Sequence, residues 1–140
     1  MIRLDPSDAT LAHADERLRT ELIAWLTTVG ADGTPKSTPV WFLWDGRDLL
    51  VYSRPGKPKL RNLASNPHVS VHLEGNGLGG DNVILEGVAH LDDGAPPADR
   101  VSEYLRKYRD RIAQGGWTPA SFASDYTVPV RIDPTRIRVW

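Results

Sequence analysis

Residues 38–75 read "TPVWFLWDGRDLLVYSRPGKPKLRNLASNPHVSVHLEG", and the order of apolar runs and turns within them decides the fold. Asp45-Gly46 is a turn that separates the strand run "STPVWFLWDG" from the strand run "DLLVYS". After a basic turn, Pro58 suits a first helical position, and Leu60, Leu63 and Ala64 form an apolar stripe at i, i+3 and i+4. Asn66-Pro67 then stops the chain, so the spacing predicts a helix over 58–65. Beyond it Val69, Val71 and Leu73 alternate with Ser70, His72 and Glu74, the period of a strand with one buried face. Upstream, "ELIAWLTTVG" is a strand joined to "STPVWFLWDG" at Asp32-Gly33, and residues 8–19 form a short first helix. Three successive β runs at antiparallel spacing make a meander.

Downstream, "NVILEGVAHL" is a long strand in which Gly87 marks a bulge or bend. "PPADRVSEYLRKYRDRIAQ" places Val101, Tyr104, Leu105, Tyr108 and Ile112 at helical spacing, and "TPASFASDY" adds a short helix. "YTVPVRID" and "TRIRVW" return to strand, with Pro134 expected as the turn between them. The class is mainly β with few helices (α+β). Six or seven antiparallel strands are expected to close into a small barrel, which removes exposed edges.

The 140 residues fit one domain, 1–140, with no repeat or linker. The composition, 40% hydrophobic and 25% charged, is that of a soluble globular chain. No apolar run reaches the roughly 20 residues of a membrane span, and "MIRLDPSDATLAHADE" lacks the plan of a signal peptide, so a cytoplasmic protein is expected. Absence of cysteine excludes disulfides, thiolate metal sites and thiol nucleophiles. A net charge of −1 gives no global field for nucleic acid.

Against that balance, Arg54, Lys57, Lys59 and Arg61 fall within eight positions without an acid among them. They gather at the N-terminus of the 58–65 helix, where the macrodipole disfavours each cation by roughly 0.3–1 kcal/mol. A phosphate held by free backbone N–H groups and these side chains would compensate. The alternative is a solvated basic turn. The preceding strands offer Trp41, Phe42, Trp44 and Tyr52. Phe42 and Trp44 are read as barrel filling, whereas Trp41 and Tyr52 are divided between barrel filling and a platform for a planar ring.

Other motifs carry less. "GNGLGG" satisfies G-x-G-x-x-G, but a strand follows it where a dinucleotide site needs a helix, so it is a hairpin loop. His68 and His72 stand about 13 Å apart along a strand, too far to share a metal ion, and no metal is expected. No G-x-S-x-G or Walker A sequence occurs. No catalytic side chain is assigned.

The 38–75 stretch resembles the split-barrel flavin-binding superfamily of pyridoxamine 5′-phosphate oxidase, and most closely its branch that uses the deazaflavin coenzyme F420. The early hairpin, "TPVWF", "VYS", the basic turn and "RNLASNP" carry the likeness, which runs across nearly the whole chain. The resemblance implies a coenzyme ring along Pro39, Val40 and Trp41. It places the phosphate at Tyr52, Ser53, Lys57 and Lys59, with Arg61 within reach. It also implies a homodimer with two equivalent sites at the subunit interface, each built from both chains. The C-terminal Arg-aromatic motif of true pyridoxamine phosphate oxidases has no counterpart, although Arg138 and Trp140 lie near that region. The expected activity is therefore hydride transfer between F420 and an unsaturated small-molecule acceptor, with orientation and exclusion of water supplied by the protein. Two alternatives stay open: an FMN-dependent oxidoreductase of the same fold, and a carrier that binds the cofactor or a tetrapyrrole without turnover. Trp117 or Trp140 is a candidate for shaping the acceptor pocket, burial in a dimer core being the competing role for each.

Overall fold

The computed structural model describes residues 2–140. Helix α1 (Ala9–Thr20) is capped by the Asp8 carboxylate, which accepts from the Thr10 and Leu11 N–H groups. Strands β1 (Ala24–Val29), β2 (Pro35–Val40), β3 (Leu43–Trp44) and β4 (Leu49–Ser53) follow. After them come α2 (Pro58–Ser65), β5 (His68–Leu73) and β6 (Val83–Leu91). A 3₁₀ turn (Ala98–Arg100), α3 (Ser102–Gln114), α4 (Pro119–Asp125) and β7 (Val128–Val139) complete the described chain.

The seven strands form one antiparallel sheet in the order β2-β1-β5-β6-β7-β4-β3. Its outermost strands are thus β2 and β3, which are joined in sequence by Trp41 and Phe42 alone. Such a link reaches at most about 10–11 Å, so the sheet must curl until its two edges meet. This is the split barrel, argued from connectivity. The same fact corrects two expectations. Residues 37–46 are not one strand, because the run turns a corner at Trp41-Phe42 and changes partners there. Nor do the first β runs form a meander, since β4 pairs with β7 and not with β2.

Two apolar clusters result. One fills the barrel with Leu26, Phe42, Trp44, Leu49, Val51, Val71, Leu85 and Ile132, and α1 and α2 add Leu18 and Leu63 to it. The other lies outside the barrel wall, where α3 and α4 press Tyr104, Tyr108, Ile112 and Phe122 onto Leu50 and Tyr52 of β4. Strand β4 is buried on both faces, which is why "LLVYS" shows no alternation.

The last two β runs are one strand, β7, and Pro134 is not a turn. Pairing with β6 shifts register there: Gly87 faces Pro134 and Glu86 faces Arg136, leaving Thr135 as the extra residue of a bulge. Pairing with β4 has already ended at Ile132, so the missing N–H of Pro134 removes no ladder bond on that side. Gly87 marks the bulge as expected, and its reason is steric. A Cβ there would lie 2.5 Å from the Asp133 carbonyl oxygen. Gly87→Ala should therefore force the two strands apart and cost about 1–3 kcal/mol. Urea unfolding would measure this, and an unchanged midpoint would refute the close approach.

Candidate functional site

Where the barrel's seam meets α3 and α4, a cavity of about 130 Å³ is lined by Pro39, Val40, Trp41, Tyr52, Lys59, Tyr104, Phe122 and Tyr126. Four segments distant in sequence converge here. The end of β2 supplies exposed Pro39 and buried Val40, β4 supplies Tyr52, and α2 supplies Lys59. The helical segment between β6 and β7 closes the far side. Of the eight residues expected from the sequence, Pro39, Val40, Trp41, Tyr52 and Lys59 line this one cavity.

The remaining three do not line it. Ser53 follows Tyr52 on a strand and so takes the opposite face; it is buried, and its hydroxyl donates to the Arg54 carbonyl at 2.9 Å. Lys57 and Arg61 are exposed on the same α2 turn. Arg61 reaches the Gly56 carbonyl at 3.5 Å.

The charge at this turn is partly compensated. Arg54 lies 3.8 Å from Asp125 and over the ring of Tyr126, 4.9 Å from its centroid, so this cation belongs to the α4 wall. Among the described residues, no such carboxylate partner is found for Lys57, Lys59 or Arg61. Lys57 is the N-cap residue of α2, and no side chain caps the helix; its first turn holds no acid. Desolvation, and then the neighbouring Lys57 charge, hold the Lys59 amine below the usual lysine range. An anion bound here would relieve both penalties.

The aromatic wall is more committed than the sequence indicated. The Trp41 ring stacks on Tyr108 (4.8 Å, 4°) and on Phe122 (5.3 Å, 16°). It also meets the edge of Trp117 at 6.4 Å. Trp41 is therefore engaged by its own chain, and a ligand would meet its backbone and edge. The Tyr52 hydroxyl donates to the Pro96 carbonyl at 2.6 Å, and burial pushes its pKa up to about 12. Trp117 joins this cluster and donates its indole N–H to Asp125 at 3.0 Å, whereas Trp140 is 61% exposed.

Tyr104, Phe122 and Tyr126 were not singled out from the sequence as site residues. Helical spacing marked Tyr104 as core, and only the tertiary fold brings it against β4. The density of aromatics between residues 104 and 126, in a chain that is 8% aromatic, is the signal that pointed there.

A model of the family described as pyridoxamine 5′-phosphate oxidase matches residues 10–140. No curated protein matches the chain in sequence. Among solved structures, an F420 reductase is 28% identical, with 89% of this chain and 94% of that one covered, at a TM-score of 0.67. A conserved hypothetical protein of Mycobacterium tuberculosis is 26% identical, covering 92% and 82%, at 0.73. The heme storage protein HutZ of Vibrio cholerae is 18% identical, covering 99% and 95%, at 0.62, a likeness of fold alone.

Proposed function

Because the chain belongs to the pyridoxamine 5′-phosphate oxidase family, which includes oxidoreductases, we propose that it is an F420-dependent oxidoreductase acting on an unsaturated small-molecule acceptor. The observation that carries this reading is the cavity that gathers Pro39, Val40, Trp41, Tyr52 and Lys59 beside an uncapped, acid-free helix start. Lys59 and Lys57, with the α2 N–H groups, are suited to an anionic coenzyme's phosphate. Pro39 and Val40 offer an apolar shelf for its ring. When bound, a reduced deazaflavin would supply the hydride for reduction of the acceptor's double bond, with the balancing proton coming from solvent. The chain's own part would be to hold the ring beside Pro39 and Val40, neutralise the phosphate with Lys57 and Lys59, and limit how much water reaches the site.

FMN shares the ring shelf and the phosphate, so coenzyme choice is decided by titration. Calorimetry of the apo-protein should give tighter binding of F420 than of FMN. A protein that purifies yellow and releases FMN on denaturation would overturn the choice of coenzyme, and binding of neither would overturn the reading. A tetrapyrrole carrier at this cavity is disfavoured, because none of His13, His68, His72 and His90 lines it to serve as an axial ligand.

The reading includes a homodimer. At about 130 Å³ the cavity falls well below the roughly 300–1,000 Å³ of small-molecule sites, so one chain accommodates only part of the coenzyme. The outer face of β1, β5 and β6 leaves Trp25, Val29, Ile84 and Val88 half-exposed, an apolar surface suited to a second copy. Sedimentation should give a dimer at micromolar concentration. A monomer there would remove the partner that completes the site.

A further inference from the structure

The buried hydroxyls beneath the barrel's outer wall are accounted for, with one exception. Tyr52 donates to Pro96, and Tyr108 is bonded to the Phe42 N–H, the Leu22 carbonyl and the Phe42 carbonyl. Tyr104 lies between them on α3, 5.1 Å from the ring of Tyr52 and 4.9 Å from that of Tyr108, and its side chain is fully buried. Its hydroxyl has no hydrogen-bond partner, the sole such buried side-chain atom among the described residues. A phenol in this position gains packing from its ring, and phenylalanine would supply that without an unpaired polar group. Tyr104 is also a wall of the cavity that holds Lys59. Tyr104 thus contributes both an unpaired, buried hydroxyl and part of that cavity's wall.

The chemistry of the absent partner can be read from the walls. Trp41, Tyr52, Tyr104, Phe122 and Tyr126 make the enclosure aromatic, which favours a flat, conjugated group. The volume admits one ring of a larger molecule. Burial, with neighbouring tyrosines adding to it, holds the Tyr104 hydroxyl protonated far above the ordinary tyrosine range, so it offers a proton and not a charge. A neutral O–H donor facing a planar group pairs with a carbonyl oxygen on that group's rim.

We propose that the Tyr104 hydroxyl donates a hydrogen bond to a ring carbonyl oxygen of the planar molecule bound in this cavity, and so selects carbonyl-bearing conjugated rings. This rests on the function proposed above. Two molecules carry that chemistry: the coenzyme, through the dione edge of its ring system, and a conjugated carbonyl acceptor. Tyr104 would be a recognition residue in either case, with no proton leaving it.

The test is Tyr104→Phe, with FMN and F420 as binding probes and cyclohex-2-enone as the acceptor probe. Loss of one neutral hydrogen bond should weaken binding of its partner roughly tenfold. The apo-protein should melt at the same temperature or higher, because the substitution deletes a buried unpaired hydroxyl. If the carbonyl is the coenzyme's, its dissociation constant rises and the absorption band of the bound coenzyme shifts relative to wild type. If it is the acceptor's, coenzyme binding is unchanged and the KM for cyclohex-2-enone rises. Unchanged coenzyme affinity and spectrum, with enone KM unchanged or no enone turnover, would overturn the proposal while leaving the coenzyme site standing. A fall of several degrees in apo melting temperature would also overturn it, by showing that the hydroxyl is already paired. Failure of wild type to bind either coenzyme would overturn the proposed function and this inference with it.

Discussion

Replacing Lys57 and Lys59 together by alanine is expected to weaken coenzyme binding by more than a hundredfold while leaving the apo-protein as stable as before. Charge-assisted hydrogen bonds contribute roughly 1.5–3 kcal/mol each, so losing two that act independently removes about 3 kcal/mol or more. That exceeds two decades in Kd. The unusual half of the prediction is the unchanged fold. Lys57 is exposed, and neither lysine forms an ion pair in the described structure. Both sit where the α2 dipole opposes a cation, and Lys59 is in addition disfavoured as an ammonium by burial. Their removal should relieve strain in the empty site. Calorimetric titration and thermal melting of the double variant together decide the matter. Unchanged affinity combined with a much lower melting temperature would make these lysines structural and remove the anion site.

Tyr108→Phe should do the opposite, destabilising the fold by about 2–4 kcal/mol, or roughly 10 °C in melting temperature for a chain of this length. The Tyr108 hydroxyl accepts from the Phe42 N–H at 2.8 Å and lies 2.7 Å from the Leu22 carbonyl, to which it donates. It thereby ties α3 to the two-residue corner where the sheet's edges meet and to the segment entering β1. Without it the Phe42 N–H is left buried and unpaired. The Phe42 carbonyl keeps a donor, because the Lys107 ammonium reaches it at 2.8 Å. Denaturant unfolding measures the loss, and a shift within error would show that the corner is held by packing alone. Tyr104 is four residues earlier on the same helix, and the same substitution there is expected to cost the fold nothing. The pair separates a hydroxyl that builds the barrel from one that waits for a ligand.

What the sequence discloses by itself is local. Helix α2 spans Pro58–Ser65 as expected, because Pro58 and Asn66-Pro67 punctuate it and Leu60, Leu63 and Ala64 repeat within it. Asp32-Gly33 and Asp45-Gly46 likewise mark their turns by backbone chemistry that needs no partner, since Gly33 and Gly46 take positive φ, whereas Gly87 marks its bulge through the approach of Asp133 on β7. What was missed depends on pairing. The corner at Trp41-Phe42 keeps the apolar pattern of a strand: Phe42 faces the barrel and Trp41 faces the helices, so the alternation continues while the neighbours change. Pro134 punctuates other chains, but here it occupies a bulge whose existence is set by β6. In the site, Pro39, Val40 and Trp41 were indicated by the resemblance, and all three line the cavity. Ser53 was placed beside Tyr52 by the resemblance; as adjacent strand residues the two face opposite ways, and only Tyr52 lines the cavity. Tyr104, Phe122 and Tyr126 reach the cavity only through the packing of α3 and α4, which periodicity cannot aim.

The position of β7 between β6 and β4 bears on how the protein is made. Six strands leave the ribosome before it, yet the β3–β4 hairpin has no other strand to join. Until residues 128–139 emerge, β4 and β6 both present open hydrogen-bonding edges, and Leu49 and Val51 lack the wall that Val130 and Ile132 later provide. Contacts of such long sequence separation form slowly. A stalled or truncated nascent chain is thus a sticky one, prone to pair with its neighbours on a polysome and dependent on chaperones for the interval.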